Sequence, residues 1–130
     1  TITGWKDMCT KFHRVNPKSK LRCIESDIFM LEELKNKDVI INHKCKNGLI
    51  DIGTPIVLEG IFLATIFSGQ IFFEKPDKEF FRMQAKKFGF DEDAYLKALD
   101  EIPIVNNEEH EKVLVFLKHL SEIVSELGLR

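Results

Sequence analysis

The chain has 130 residues, a length that fits one compact domain able to fold without disulfides. With 44% hydrophobic and 31% charged residues it has an ordinary globular composition, and a formal charge of −2 gives it no surface for neutralising many phosphates. No apolar run reaches the ~18 residues a membrane span requires, because "PIVLEGIFLATIF" is broken at Glu59 and Gly60.

In chain order, "TGWKDMCTKFH" (residues 3–13) reads as a helix with Trp5, Met8, Cys9 and Phe12 on one face. Pro17 breaks it, and Ser19 is the candidate cap of a helix over 20–36 whose apolar positions are Leu21, Ile24, Ile28, Leu31 and Leu34. The basic run "KFHRVNPKSKLR" between them reads as a solvated loop and helix start. The stretch from Lys35 to Asp38 is a polar stop. "VIINHKC" then reads as a strand ending in an Asn47-Gly48 turn, followed by "LIDIGTPIVL", a strand interrupted between Gly53 and Pro55.

Glu59-Gly60 joins that strand to "IFLATIFSGQIFF", where Gly69 marks a bulge or a close approach to the backbone. "KPDKEFFRMQAKKFGF" is a helix with Pro76 near its start and Gly89 at its end. "DEDAYLKALDEI" is a second helix, capped by Asp91 and stopped by Pro103. The last helix, over "NNEEHEKVLVFLKHLSEIVSELG", has Asn107 as candidate cap and Gly128 as terminator. Helices, then a small antiparallel meander, then helices define an α+β fold. The whole chain, 1–130, reads as a single domain without repeats or linkers, and a start other than Met makes it read as a piece of a longer protein or as one whose start was removed.

Gly-rich phosphate loops, HExxH and GxSxG are all missing, so no reaction is assignable and an enzyme is not expected. His110 and His119 read as surface residues of the last helix. Three cysteines, an odd and sparse set, point to a reducing cytoplasmic setting. Cys9 and His13 lie four apart on one helix face, and Cys23 and Cys45 follow on other elements. Three thiols and an imidazole suit a tetrahedral metal or an iron–sulfur centre, although the spacing lacks the CxxC knuckles of zinc sites. A thiol or His13 as axial ligand to a corrinoid or haem is a further reading, and small buried hydrophobes are the plain alternative for the cysteines. Val113, Phe116, Leu120, Ile123 and Leu127 alternate at 3-4 spacing on the last helix, widened by Leu114, Leu117 and Val124. That stripe packs on the domain itself or pairs with a twin in a homodimer.

"CTKFHRVNP", "LRCIESD", "CKNGLIDIGTPIVLEG" and "SGQIFFEKPDKEFFRMQAKKFGFDEDAYLKALDEIPI" together resemble the PocR-type sensory domain, over nearly the whole chain. The resemblance implies a PAS-like antiparallel sheet flanked by helices, and sensing of a small molecule such as a short diol or another hydrocarbon derivative. It implies a downstream kinase or DNA-binding module in the same chain, as in two-component systems and transcription regulators. By the matching motif it marks Cys45, Asn47, Gly48, Asp51, Pro55, Gly69 and Gln70 as the ligand region, with the glycines and Pro55 shaping the backbone. Cys9, His13 and Cys23 match a subgroup with a Cys-His stretch before the second helix. Where many relatives carry a histidine two residues after the glycine this chain has Phe62; if that histidine touches a ligand, the departure implies a more apolar guest or a different way of binding it.

Strand alternation sends Leu49 and Asp51 one way and Ile50 and Ile52 the other. An inward Asp51 needs a hydroxyl, an amide or a cation for company. Gln70 on the neighbouring strand is the candidate partner, and Phe62, Phe67, Phe72 and Phe73 are candidate walls of an apolar pocket.

Overall fold

The computed structural model describes residues 5–36 and 39–128. Residues 3 and 4 of the expected first helix, and Lys37 and Asp38 of the polar stop, lie outside them. A π-helix, Met8–His13, leads into α1, Pro17–Asn36, and the sheet follows with β1, Ile41–Lys44, β2, Ile50–Leu58, and β3, Ile61–Ile71. Three helices complete the chain: α2, Lys78–Phe88, α3, Glu92–Asp100, and α4, Asn107–Gly128. The expected α+β architecture is present, as a three-stranded antiparallel sheet in the order β1-β2-β3 flanked by helices.

Local chemistry explains most boundaries. Asp77 and Asp91 cap α2 and α3 through their carboxylates, and Gly89 ends α2 at φ 71°. Two caps fall elsewhere than expected. Asn16, not Ser19, accepts the N–H groups of Lys18 and Ser19, which leaves Pro17 in the first helical position where its missing N–H costs nothing. Likewise Asn106, not Asn107, accepts from the N–H of Glu109 at 3.0 Å. The β2–β3 hairpin turns on Glu59 and Gly60, both left-handed at φ 52° and 76°, the backbone pattern of a tight type I′ turn. β1 pairs with β2 only as far as Gly53, so Pro55 falls where β2 has a single neighbour and its missing donor is harmless.

The two faces of the sheet carry separate cores. Ile52 and Ile71 pack with Leu114 of α4 on one face. Leu49 belongs to a larger cluster with Met8, Phe72, Phe81, Tyr95 and Leu99, between the N-terminal π-helix, α2 and α3. Gly53 lets α1 lie directly on β2, since a Cβ there would sit 2.7 Å from Leu34 Cδ1.

The α1 stripe is oriented against expectation except at Leu34, and the α4 stripe takes the outward of its two expected orientations. α1 buries Ser19, Cys23, Ser26, Met30 and Leu34, and leaves Leu21, Ile24, Ile28 and Leu31 between 39% and 57% exposed. The buried serines are satisfied: Ser19 Oγ donates to His13 O at 2.7 Å, and Ser26 Oγ donates to Arg22 O while accepting from Lys46 N–H. Helix α4 buries only Leu114 of its stripe and presents Val113, Phe116, Leu120, Ile123 and Leu127 outward. Its inward face carries Lys118, whose Nζ donates to Pro55 O at 2.6 Å.

This arrangement predicts unequal costs within the expected α1 stripe. Leu34→Ala lowers the free energy of unfolding by about 3 kcal/mol. Leu21→Ala changes it by less than about 0.5 kcal/mol, and urea titration of both variants checks the contrast.

Candidate functional site

A cavity of about 540 Å³ lies between the π-helix, α1 and one face of the sheet. Trp5, Cys9, His13 and Arg14 line it from the N-terminal segment, Cys23, Asp27, Met30 and Leu31 from α1, and Cys45, Leu49, Asp51, Phe67, Ser68, Gly69 and Gln70 from the sheet. Residues far apart in the chain therefore meet around one hollow with apolar walls and a few polar groups.

Asp51 reaches it through strand alternation assisted by a bulge. Ile50 pairs with Ile71 and Asp51 with Gly69, so Gln70 is the extra residue between them. Gln70 has φ 60°, a left-handed conformation that costs a non-glycine residue about 1–2 kcal/mol. Its surroundings hold it there. Gln70 N–H donates to Asp51 Oδ1 at 3.4 Å, and Gln70 Oε1 accepts from the backbone N–H of Lys6. Gly69 is required by the same contact, because a Cβ there would lie 2.3 Å from Asp51 Oδ1. Burial pushes the Asp51 carboxyl from its ordinary 3.8 up to about 6, against the opposing pull of the Gln70 N–H.

Behind the opposite wall runs a buried polar network. His13 Nε2 lies 2.6 Å from Tyr95 Oη, which also accepts from Gln84 Nε2 at 2.7 Å. The second hydrogen of Gln84 Nε2 goes to Asn47 O at 2.9 Å, so the 3.4 Å approach of Gln84 to His13 has no proton left for it. With Gln84 donating to it, the tyrosine hydroxyl gives its own proton to His13 Nε2. Burial, with the positive charges of Arg22 and Arg14, lowers His13 from 6.5 to about 4 and keeps the ring neutral. The remaining proton then sits on Nδ1, which is buried and has no partner among the described residues.

The cysteines are free thiols around the same hollow. Burial raises all three, Cys9 to about 12 and Cys45 to about 11, with Cys23 moving the same way. Cys23 Sγ also accepts from Asn47 Nδ2 at 3.0 Å, and Cys45 Sγ from Leu49 N–H. Among the described residues, no group of three or more His, Cys, Asp and Glu side chains is spaced to hold a metal ion. The candidate metal set Cys9, His13, Cys23 and Cys45 is therefore gathered at one cavity as neutral groups, but not preformed as a ligand shell.

The other sequence-derived site residues separate cleanly. Cys45, Asp51, Gly69 and Gln70 stand at the cavity wall. Asn47 is fully buried behind it, donating to Ser19 O and Cys23 Sγ, and Gly48 at φ 99° packs on Phe80 and Phe81. Phe62 does not reach the cavity: it sits 37% exposed on β3 near the hairpin. Of the four candidate wall phenylalanines only Phe67 lines the hollow, while Phe72 and Phe73 belong to the two cores. The basic run is not simply solvated either. It delivers the buried His13 and the Arg14 guanidinium, which lies 4.4 Å over the Trp5 ring and pairs with Asp27 at 3.0 Å. His110, expected at the surface, is half-buried with Nε2 2.8 Å from Ser68 Oγ. His119 is exposed, as expected.

Sequence reading missed Trp5, Arg14, Asp27, Gln84 and Tyr95 as site or supporting residues. A signal existed for two of them: Gln84 interrupts the apolar face of α2 between Phe81 and Phe88, and Tyr95 is the one tyrosine of the chain, set among alanines and leucines. A polar group at a core position announces a buried partner.

Fold and cavity define a small α+β module built around an internal hollow with a polar lining. The chain belongs to the PocR family: the model of the sensory domain found in PocR matches residues 1–129. That family is a sensory one. No curated protein and no solved structure matches the chain. Among the described residues no helix is long and apolar enough to cross a membrane.

Asp51 and His13 oppose each other in pH. Asp51 holds its proton more tightly when folded, so its contribution to stability is present at acid pH and lost as pH rises from about 4 through about 6. His13 holds its proton less tightly when folded, so its contribution is present above pH 6.5 and lost as pH falls towards about 4. Asp51→Asn keeps an acceptor for Gln70 N–H and removes the buried charge. It raises Tm at neutral pH by about 5 °C, an increment that disappears near pH 4, and its stability declines more steeply than wild type on acidification. Thermal melts of both proteins across that range check this.

Proposed function

We propose that this chain is the signal-input domain of a longer regulator, in which a small molecule fills the cavity and biases a kinase or DNA-binding module further along the same polypeptide. The cavity itself carries the reading: a hollow of about 540 Å³ whose polar groups converge from the π-helix, α1 and the sheet has the size and character of a ligand site. A short diol or related hydrocarbon derivative suits it, with hydroxyls donating to Asp51 and hydrocarbon against Met30, Leu49 and Phe67. Cys45 and Gln70 complete the wall beside Asp51, while Asn47 and Gly48 hold the turn behind it.

An outlet for the signal is built into β3. Ser68, on the cavity wall, is hydrogen-bonded to His110 in the first turn of α4. Repacking of the wall around a guest therefore moves the start of the last helix, provided the guest prefers one arrangement over the other. The outward stripe of α4 is a heptad seam of the kind that pairs parallel helices. We read it as the seam of a cytoplasmic homodimer that leads towards the output module.

A cofactor role for Cys9, His13, Cys23 and Cys45, whether metal, iron–sulfur or corrinoid, has their shared location in its favour and their unspaced, protonated state against it.

Thermal-shift screening of the anaerobically purified domain against metabolites, including short diols, yields at least one compound that raises Tm. A screen with no stabilising compound overturns the ligand reading, and a coloured or metal-bearing preparation moves the weight to a cofactor. For the dimer, sedimentation of Leu120→Glu shows a monomer where wild type pairs, with Tm of the monomeric fold little changed because Leu120 is 45% exposed.

A further inference from the structure

Asp51 is the one charged side chain of the cavity wall without a counter-ion among the described residues. The ionic side chains of that wall are Arg14, Asp27 and Asp51, and Arg14 and Asp27 neutralise each other at 3.0 Å. The charges of that pair act on Asp51 with opposite sign, so together they leave it uncompensated. The other titratable groups around it are neutral at pH 7. Burial lowers His13 to about 4 and raises the thiols of Cys9, Cys23 and Cys45. His43 stands opposite Asp51 on β1, but its ring stacks on Phe29 with centroids 4.6 Å apart, and burial lowers its pKa as well. Asp51 Oδ1 accepts the long bond from Gln70 N–H, while Oδ2 accepts none among the described residues and, unlike the sealed His13 Nδ1, keeps accessible surface. An ionised carboxylate so placed lacks the partner that burial of a charge demands. Met30, Leu31, Leu49 and Phe67 line the same hollow with hydrocarbon.

We propose that the guest is an organic amine, its ammonium group donating to the Asp51 carboxylate and its hydrocarbon body lying against Met30, Leu31, Leu49 and Phe67. An ammonium brings the missing positive charge along with its hydrogen-bond donors, whereas an alcohol brings a donor and no charge. A bare metal ion is the poorer match, since among the described residues no group of three or more His, Cys, Asp and Glu is spaced to hold one. This inference rests on the cavity being a ligand site and names the charge and class of its occupant.

Calorimetric titration with matched amines and alcohols tests it: butylamine with butanol, benzylamine with benzyl alcohol, and aminopropanol with propylene glycol. At about pH 8 at least one amine binds about tenfold or more tighter than its alcohol. That preference shrinks about tenfold towards about pH 5, because the Asp51 carboxyl takes up its proton near about 6 while the amine stays cationic. Asp51→Asn keeps the shape of the wall, leaves alcohol binding in place and removes both the preference and its pH dependence. Circular dichroism confirms that wild type and variant are folded at each pH before affinities are compared. Alcohols that bind as tightly as their amines overturn the proposal while leaving the ligand-site reading intact. So does a folded Asp51→Asn protein that still prefers the amine, or whose preference still falls with pH, since that titration then belongs to His43. If none of the six compounds binds, the amine assignment falls, and the metabolite screen alone decides whether the cavity takes a small molecule.

Discussion

A chain of neutral hydrogen bonds, from His13 through Tyr95 and Gln84 to Asn47, holds this domain together at the point where its elements have least in common. It ties the π-helix to α3, α3 to α2, and α2 to the turn between β1 and β2. Asn47 extends it to α1 through Ser19 O and Cys23 Sγ. Each link contributes only about 1 kcal/mol net, but breaking one strands a buried donor or acceptor at a cost of about 1–3 kcal/mol. The links are therefore mutually dependent, and a network so placed specifies one packing of the helices over others. It also places the proton of the neutral His13 ring on Nδ1.

The sheet has a side filled by α4 and a side that holds the cavity next to a second core. On the filled side Ile52, Ile71 and Leu114 make an ordinary apolar contact with α4. On the hollow side the same strands present Asp51, Gly69 and the bulged Gln70. Period-two alternation makes this division unavoidable once the register is set, and the bulge adds the local twist that brings Gln70 back over Asp51. Ser68 crosses the division through its bond to His110, so the two faces are not mechanically independent.

Much of this was legible along the chain because it depends on neighbours in sequence. The Asp91 cap, the Gly89 terminator and the Glu59-Gly60 turn are satisfied within a few residues. The opposite facing of Leu49 and Asp51 against Ile50 and Ile52 follows from backbone geometry alone. The orientation of α1 was not legible, because its most regular apolar stripe is the one left outside. Its buried side faces a hollow and a polar turn, where serine hydroxyls and the Cys23 thiol find hydrogen bonds that leucines would leave unmade. Burial of apolar residues is a tendency, not a rule about which stripe wins. Phe62 misled for a related reason: a position two residues from a glycine has no fixed distance from a cavity when the strand is eleven residues long.

By itself the sequence determined the element order, the antiparallel meander, most helix ends and the kinship to a sensory family, since periodicity, caps and turn residues act locally. Only the tertiary structure decided that Cys9, His13, Cys23, Cys45, Asp51 and Gln70 surround one cavity, that Arg14 joins them and that Phe62 does not. The proton position on His13 was decided there too. These facts depend on which faces of distant segments meet, and that is settled by the shared demand of buried polar groups for partners, a demand that spacing along a chain does not record.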